Sequence, residues 1–299
     1  MKRRILDGDF LDRLDAATLV LKTAMTGYFG GSRKARSYGN TVEFADFREY
    51  APGDDIRRID WNVYARSEKY FIKLFTDERQ MHNRIMIDCS ASMACGEPEK
   101  ATAALRIAAA FGYLSVKSMD RVSFELMKGN KSEGLGITIT NKDSFYRAAQ
   151  KLETTDFDGE TDLEKAVINM EKPGSDDGLT IIISDFLTES DWKKAIDFLI
   201  YQRREVLMIQ VLSPDELYPD LDGRIHMMDS EAVDAADGRN MRLIMTKKMV
   251  NAYQKALDAY EQELVDFCAS RNVTFFTVSS DEPIEKIIFG KGYETEIIK

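Results

Sequence analysis

Short apolar runs alternate with amphipathic stretches from residue 84 to the end of the chain. Strands are predicted at RIMID (84–88), RVSFELM (121–127), GLGITIT (134–140), LTIIIS (179–184), VLMIQVL (206–212) and VTFFTVS (273–279). Helices are predicted at 99–118, 142–152, 162–171, 190–203 and 246–270. This alternation predicts an α/β fold with a doubly wound, mostly parallel sheet, and the uninterrupted hydrophobicity of 179–184 is typical of a strand covered on both faces.

Three regions depart from this alternation. The first 27 residues have apolar positions at helical spacing and end in a glycine, which predicts an amphipathic N-terminal helix. Residues 28–83 are rich in Tyr, Phe and Arg and contain turn signals such as PGDD, which predicts a small β-rich module. The remaining residues, 84–299, form the predicted α/β domain, and a β-hairpin with an ADGRN turn is inserted in it at about 213–245.

The composition is that of a folded intracellular protein. Hydrophobic residues make up 44% of the 299 positions and charged residues 31%, which excludes a disordered chain. No stretch approaches the roughly 20 consecutive apolar residues of a membrane span, and the N-terminus lacks the apolar core of a secretory signal. Because the three cysteines form no CxxC pair and are odd in number, we expect a reducing, cytoplasmic location.

The net charge and the histidine content argue against nucleic-acid binding and against histidine-based metal or catalytic sites. The formal net charge is −10, and residues 85–299 hold 25 basic against 38 acidic residues. An acidic body disfavours nucleic-acid binding, which requires a concentrated basic surface. The chain has only two histidines, far apart in sequence, which weakens any histidine-based metal site or Ser-His-Asp triad.

Oxygen-bearing side chains follow two predicted strands and precede one predicted helix. They are Asp88, Ser90, Ser92, Thr161 and Asp185. Ligands of open α/β sheets bind outside the carboxyl ends of the strands, so these side chains are candidates for one site. Two carboxylates and three hydroxyls are hard ligands that suit Mg²⁺ or Mn²⁺, and a carboxylate from a partner protein could complete the coordination shell.

An alternative interpretation assigns these side chains to helix capping. Serine and threonine are favoured at helix N-termini, and Asp185 could cap the helix predicted at 190. Taken singly, capping is the simpler explanation for each of them. The order and placement of all five together favour a metal site.

The order D-x-S-x-S, T-D and S-D resembles the metal-ion-dependent adhesion site of von Willebrand factor A-type domains. Upstream, the segment R-x-Y-x-P-G-D-D-x-R-x-I-D-W, followed by A-R, is similar to the hallmark of the domain of unknown function 58 (DUF58) family. This resemblance covers about residues 30–283. It implies a prokaryotic soluble protein with an A-type domain that works with a MoxR-type AAA+ ATPase.

Two positions depart from the A-domain pattern, and two arginines stand out upstream. Phe186 and Glu160 occupy positions where glycine is frequent in A domains. Phe186 could restrict the approach to the site, Glu160 could add negative charge beside the metal, and both are candidates for contact with a partner. In PGDDIRRIDW, Arg57 and Arg58 could form a surface for an acidic partner segment, or they could pair with local acids while Trp61 anchors the β-rich module on the α/β domain. The second interpretation is the simpler one.

These observations favour a non-enzymatic, divalent-metal-dependent protein-interaction module that serves the assembly or maturation of a target complex. One alternative is a metal-dependent phosphohydrolase that uses Asp88. Against it, the second acid of a D-x-D pair is replaced by Ser90, and the chain has no P-loop and no Cys-x5-Arg spacing. The other alternative is a scaffold with a vestigial metal site.

Overall fold

The computed structural model describes residues 3, 5, 8–15, 17, 42–77, 81–170, 178–188, 190–219, 223–227, 241–245 and 247–298. The chain divides into a larger unit, formed by Met1–Tyr28 and Met81–Lys299, and a smaller unit, Phe29–Gln80. The smaller unit therefore begins and ends close to the predicted β-rich module of 28–83. Each unit is described by itself below.

The larger unit is built on a six-stranded sheet in the order β10-β7-β6-β3-β4-β5. All neighbouring strands are parallel except β4 and β5, which pair antiparallel at one edge. This confirms the predicted doubly wound, mostly parallel α/β fold. Its strands are β3 (His82–Asp88), β4 (Arg121–Lys128), β5 (Lys131–Gly134), β6 (Leu179–Ser184), β7 (Glu205–Leu212) and β10 (Thr274–Ser279).

Helices cover both faces of this sheet. In chain order they are α1 (Gly8–Leu14), α3 (Lys100–Lys117), α4 (Lys142–Leu152), α5 (Leu163–Ile168), α6 (Trp192–Tyr201), α7 (Pro214–Leu217), α8 (Lys247–Ser270), α9 (Ile284–Lys286) and α10 (Gly292–Glu294). A π-helical turn, Ile287–Lys291, joins the last two.

Successive residues of the central strands enter two different hydrophobic clusters. In β6, Ile181 and Ile183 belong to the cluster that includes α3 and α4, whereas Ile182 belongs to the cluster that includes α5, α6 and α8. The same alternation separates Ile85 from Met86 in β3. Because strand side chains point to opposite faces in turn, a strand covered on both faces must be apolar throughout, as the sequence pattern predicts.

The edge strand β5 differs from the prediction of a strand over 134–140. The hairpin from β4 needs only two loop residues, and Gly129 takes a left-handed φ of 54° there, so pairing already begins at Lys131. Gly136, with φ 66°, interrupts the extended run. Beyond it, pairing continues as a single bridge between Ile139 and Val122.

Helix α1 is shorter than the predicted N-terminal helix over 1–27. It ends at Leu14, and Lys117 of α3 donates hydrogen bonds to the carbonyls of Asp15 and Ala17. The Tyr113 hydroxyl also donates to the Asp15 carboxylate, at 2.7 Å. These contacts hold residues 15 and 17 against α3 instead of in a continuing helix. Residues 18–27 lie outside the described residues.

The inserted hairpin is present as β8 (Gly223–Met227) paired antiparallel with β9 (Met241–Met245). Its ADGRN turn lies outside the described residues. In the smaller unit, β1 (Val42–Glu49) pairs antiparallel with β2 (Phe71–Asp77), and a helix, α2 (Trp61–Ser67), lies between them in sequence. The prediction for this module did not include α2. Its N-cap is Asp60, which accepts hydrogen bonds from the backbone amides of Asn62 and Val63.

Candidate functional site

The candidate site lies where the chain reverses its direction of winding across the sheet. From β3 the chain adds β4 and β5 on one side, and from β6 it adds β7 and β10 on the other. The carboxyl ends of β3 and β6 are therefore neighbours at the topological switch point, where open α/β sheets bind ligands. Asp88 ends β3, and Asp185 follows the last residue of β6.

Asp88 is buried, and the residues around it are hydrogen-bond donors. One carboxylate oxygen, Oδ1, accepts from the backbone amide of Ser90 at 3.0 Å, and Oδ2 accepts from the hydroxyl of Ser184 at 2.6 Å. Burial raises the pKa of Asp88, and the nearby charge of Asp185 raises it further. Hydrogen bonds from Ser184 and Ser90, with the neighbouring Thr161 hydroxyl, oppose this rise and do not cancel it.

The two serines of the D-x-S-x-S motif place their hydroxyls side by side. The Oγ atoms of Ser90 and Ser92 lie 3.0 Å apart. Ser90 precedes a 3-10 turn, Ala91–Ala94, but its side chain makes no capping hydrogen bond. The capping interpretation therefore does not account for Ser90.

Thr161 lies near Asp88 and belongs to a different loop, the one before α5. The backbone amide of Ala91 donates to the carbonyl of Gly159 at 2.8 Å, which joins this loop to the one after β3. The Thr161 hydroxyl donates to the carbonyl of Met127 at 3.3 Å, and the residue is buried. The N-cap of α5 is the next residue, Asp162, so Thr161 does not cap that helix.

Asp185 also has a role other than capping, because the N-cap of α6 is Asp191. One Asp185 oxygen, Oδ1, accepts from the backbone amide of Leu187 at 3.1 Å. The other, Oδ2, accepts from the ammonium of Lys100 at 2.8 Å. The same ammonium donates to Oε1 of Glu216 at 2.6 Å.

Lys100 and Ser184 belong to the site, and the sequence analysis did not identify them. Lys100 is the first residue of α3 and is 1% exposed. Its burial alone would lower the pKa of the ammonium, but the charges of Asp185 and Glu216, with their hydrogen bonds, outweigh burial and raise it. The signal available in the sequence is a lysine in the first turn of a helix, where the helix dipole disfavours a cation.

Glu160 and Phe186, which the sequence analysis proposed as partner contacts, differ in exposure. Glu160 is exposed beside Thr161, and its carbonyl accepts from the amide of Gly129 at 2.9 Å. Phe186 is fully buried with a left-handed φ of 55°, so its ring does not face a partner, and that prediction is corrected. The ring packs in the hydrophobic cluster that includes α6 and α8, where a buried aromatic side chain is stabilised.

Arg57 and Arg58 lie in the 3-10 turn Ile56–Arg58 of the smaller unit. Arg57 is exposed, and its backbone amide donates to the carboxylate of Asp55 at 3.0 Å. The side chain of Arg58 lies outside what the structure describes. The proposed role of these arginines toward an acidic partner stays a prediction.

The donor set fits a hard divalent cation. Within the described part of the chain, the hydrogen-bond donors to the buried Asp88 carboxyl group are neutral, so it has no cationic partner among them. Carboxylate and hydroxyl oxygens are ligands that Mg²⁺ and Mn²⁺ accept. Asp88, Ser90, Ser92 and Thr161 would hold the ion, with Asp185 beside it. No group of three or more His, Cys, Asp or Glu side chains suited to a metal occurs among the described residues.

The thiol of Cys89, next to Asp88, is not a nucleophile in this site. Cys89 is fully buried in the hydrophobic cluster of α3. Burial raises the pKa of this thiol well above its usual range, and the charge of Asp88 adds to the rise. The thiol therefore stays protonated at neutral pH.

A family model described as "Protein of unknown function DUF58" matches residues 46–262. The chain belongs to the DUF58 family. Curated relatives in the match are the uncharacterized proteins Mb1516 of Mycobacterium bovis and Rv1480 of Mycobacterium tuberculosis. Each is 28% identical over an alignment of 238 residues, and the match covers 76% of this chain and 74% of the relative. Membership confirms the family predicted from the PGDD segment, whereas the adhesion-type metal site predicted from D-x-S-x-S stays a prediction.

Solved structures that match this chain share little sequence with it. BatB of Bacteroides thetaiotaomicron has a TM-score of 0.44 and 13% identity, over 72% of this chain and 98% of that one. A von Willebrand factor type A protein of Catenulispora acidiphila has a TM-score of 0.35 and 15% identity, over 59% and 42%. Manganese-loaded TRAP protein of Plasmodium vivax has a TM-score of 0.34 and 17% identity, over 44% and 57%.

Among the described residues, no helix has both the length and the apolar character that crossing a bilayer requires.

Proposed function

We propose that this protein is a non-enzymatic interaction module in which a divalent cation captures an acidic side chain of a protein partner. The ion is Mg²⁺ or Mn²⁺, held by Asp88, Ser90, Ser92 and Thr161. A bound divalent ion supplies an electrophilic centre that a carboxylate oxygen can complete. The observation that carries the proposal is the buried Asp88 carboxylate, which accepts from neutral donors, in the same loop as two serine hydroxyls that lie 3.0 Å apart.

The geometry supports binding better than it supports capping or packing. Thr161 and Asp185 do not cap helices, because Asp162 and Asp191 cap α5 and α6. Ser90 makes no capping hydrogen bond to the 3-10 turn that it precedes. Burying an ionised carboxylate without a cationic partner is costly, and folded proteins keep such groups chiefly at functional sites. A cation at Asp88 would offset that cost.

The partner we propose is a MoxR-type AAA+ ATPase, as the resemblance described above implies, in a cytoplasmic setting. An acidic side chain on the ATPase would supply the missing carboxylate. Glu160, exposed beside Thr161, and Arg57 of the smaller unit are proposed as further contacts with the partner. The assembly or maturation of a target complex is the process that such a pair would serve.

Binding of the purified protein to a purified MoxR-type ATPase from the same organism, measured by biolayer interferometry, tests this function. We expect binding in Mg²⁺ or Mn²⁺ and a loss of at least about tenfold in EDTA or in Asp88→Ala, because both remove the metal. Asp158→Ala is the matched control. It removes an exposed carboxylate of a neighbouring loop that pairs with Lys128, and we expect it to bind like the wild type.

Binding that survives both EDTA and Asp88→Ala would contradict metal dependence and favour a scaffold with a vestigial site. Absence of binding under every condition would contradict the choice of the ATPase as partner. The phosphohydrolase alternative gains no support from the geometry. Lys100, whose ammonium lies beside Asp185, is already bound to two carboxylates, and Cys89 is protonated.

A further inference from the structure

Arg3, near the start of the chain, contacts two segments that lead into the candidate site. Its guanidinium donates to both carboxylate oxygens of Glu99, at 2.8 and 2.6 Å, and to the carbonyl of Thr155 at 2.8 Å. The backbone amide of Arg3 donates to the carbonyl of Glu153 at 3.0 Å, and its guanidinium lies 4.9 Å from the ring centroid of Phe157. Arg3 therefore binds the segment before α3 and the loop before α5 at the same time.

The contact between Arg3 and Glu99 is a bidentate ion pair that is partly shielded from water. The side chain of Arg3 is 13% exposed and that of Glu99 is 30% exposed. A planar guanidinium that meets both oxygens of a carboxylate fixes the orientation of the two groups as well as attracting them. The hydrogen bond from Arg3 lowers the pKa of Glu99, so both groups are charged at neutral pH.

The loop before α5 is joined in turn to the D-x-S-x-S loop. The backbone amide of Asp158 donates to the carbonyl of Cys89 at 3.0 Å. The amide of Ala91 donates to the carbonyl of Gly159 at 2.8 Å. These two hydrogen bonds lie on either side of Ser90 in the chain, so the position of each loop depends on the position of the other.

Both contacts of Arg3 lead to residues of the proposed site. Its contact with the loop before α5 holds the backbone that leads to Thr161. Its contact with Glu99 holds the residue before Lys100, the first residue of α3, whose ammonium donates to Asp185 at 2.8 Å. Arg3 therefore connects the loop of Thr161 to the helix end that binds Asp185.

We infer that Arg3 is a positioning residue of the metal site, which holds the D-x-S-x-S loop, the loop before α5 and the start of α3 in the arrangement that binds the ion. The inference rests on the proposed function and adds the N-terminal segment to the site. Residue 3 lies outside residues 46–262, which the family model matches, so membership of the family does not imply this role. Residues that support metal ligands without touching the metal set its affinity, and their substitution costs about 10–100-fold.

The charge of Arg3 and its hydrogen bonds act on metal binding in opposite directions. A positive charge repels a divalent cation, so removal of this charge alone would raise the affinity for Mg²⁺. Loss of the hydrogen bonds would lower the affinity, because the loops would no longer hold their hydroxyls in place. A fall in affinity on substitution of Arg3 therefore separates positioning from electrostatics.

The test is a calorimetric titration of Mg²⁺ into the metal-free full chain, carried out on the wild type, Arg3→Ala and Arg3→Lys. We expect the affinity of Arg3→Ala to fall about tenfold, at the lower end of what loss of a supporting residue costs. Arg3→Lys keeps the charge and lacks the planar fork of donors, so we expect an affinity between those of the other two proteins. Arg3→Lys also covers the case in which Arg3→Ala does not fold.

Tyr113→Phe is the matched control for a general loosening of the N-terminal segment. It removes the hydrogen bond to Asp15, which attaches the same segment to α3 at a point about 20 Å along the helix from Lys100. We expect this variant to have a lower Tm and the Mg²⁺ affinity of the wild type. A loss of affinity in Tyr113→Phe equal to that in Arg3→Ala would overturn the inference, because the effect would then be one of stability.

Hydrogen exchange of the metal-free proteins, measured by mass spectrometry, gives a second readout. We expect faster exchange of the backbone amides of residues 89–91 and 155–161 in Arg3→Ala than in the wild type or in Tyr113→Phe, because the two loops lose their shared attachment. Unchanged exchange in both loops would overturn the inference.

Two failures are distinguishable. If the wild type binds Mg²⁺ and Arg3→Ala binds it equally or more tightly, the role of Arg3 is wrong and the metal site stands. If the wild type binds no Mg²⁺ and Asp88→Ala behaves identically, the proposed function is wrong, and the inference falls with it.

Discussion

Asp88 is the residue at which stability and proposed function oppose each other. Burial and the charge of Asp185 raise the pKa of its carboxyl group, so ionising it costs the folded metal-free protein free energy at neutral pH. The hydrogen bonds from Ser90 and Ser184 recover part of this cost. A bound cation would recover more of it, which couples folding stability to the metal.

Asp88→Asn keeps the shape of the side chain and removes its charge. We expect the Tm of the metal-free variant at pH 7 to rise by about 2–4 °C, the shift that roughly 1 kcal/mol produces in a protein of this class. Differential scanning calorimetry in EDTA measures it. Asp158→Asn, which neutralises an exposed carboxylate, should leave the Tm unchanged or slightly lower. A Tm of Asp88→Asn below that of the wild type would contradict an uncompensated charge at Asp88.

Single residues of the site differ in how well the sequence predicts them. Asp88, Asp185 and Thr161 were predicted because short-range signals place them at strand ends or before a helix. Lys100 was not, because its contacts depend on long-range packing: it lies 85 residues from Asp185 and 116 from Glu216 in the chain. The burial of Phe186 was missed for the same reason, since it depends on helices that pack on it from elsewhere.

At the scale of elements, the predicted helix and strand bounds agree with the structure where a hydrophobic pattern extends over a whole element. They disagree where the backbone conformation of single residues sets the end of an element. The strand over 179–184 and the helix over 246–270 match β6 and α8 closely. The strand expected over 134–140 was misplaced, because pairing with β4 already begins at Lys131 and Gly136 interrupts the extended run with a left-handed φ. Helix α2 has only seven residues, and it was not predicted because the turn signals around it in the sequence favoured β structure.

The approach of α3 to the sheet depends on one glycine. A Cβ at Gly112 would lie 2.6 Å from Cζ of Phe124 in β4, closer than real contacts allow. We expect Gly112→Ala to lower the free energy of unfolding by about 1–3 kcal/mol, because the helix or the ring must shift in a closely packed core. Urea denaturation measures this loss.

Gly290→Ala is the control for this prediction. A Cβ at Gly290 would meet nothing nearer than Cγ of Lys286, at 3.9 Å, so the substitution should change the free energy of unfolding by less than about 0.5 kcal/mol. Equal free energies of unfolding for Gly112→Ala and the wild type would contradict the prediction, because they would mean that α3 and β4 can move apart without loss of stability.

At the scale of the whole molecule, the reversal of winding between β3 and β6 creates the site. It brings together side chains from loops far apart in sequence, those after β3 and β6 and the one before α5. The sequence predicts a parallel sheet, but it does not predict the strand order, because the central strands are all similarly apolar. The DUF58 family model covers residues 46–262, which include β3 to β9 of the larger unit, and leaves the function to be tested.

Direct binding of Mg²⁺ and Mn²⁺ tests the central claim most directly. The metal-free protein is titrated by calorimetry in acetate, alongside Asp88→Asn and the control Asp158→Asn. We predict that the wild type and the control bind one ion per chain and that Asp88→Asn binds none at the same concentrations. Absence of binding to the wild type, or equal binding to Asp88→Asn, would contradict a metal site at the carboxyl ends of β3 and β6.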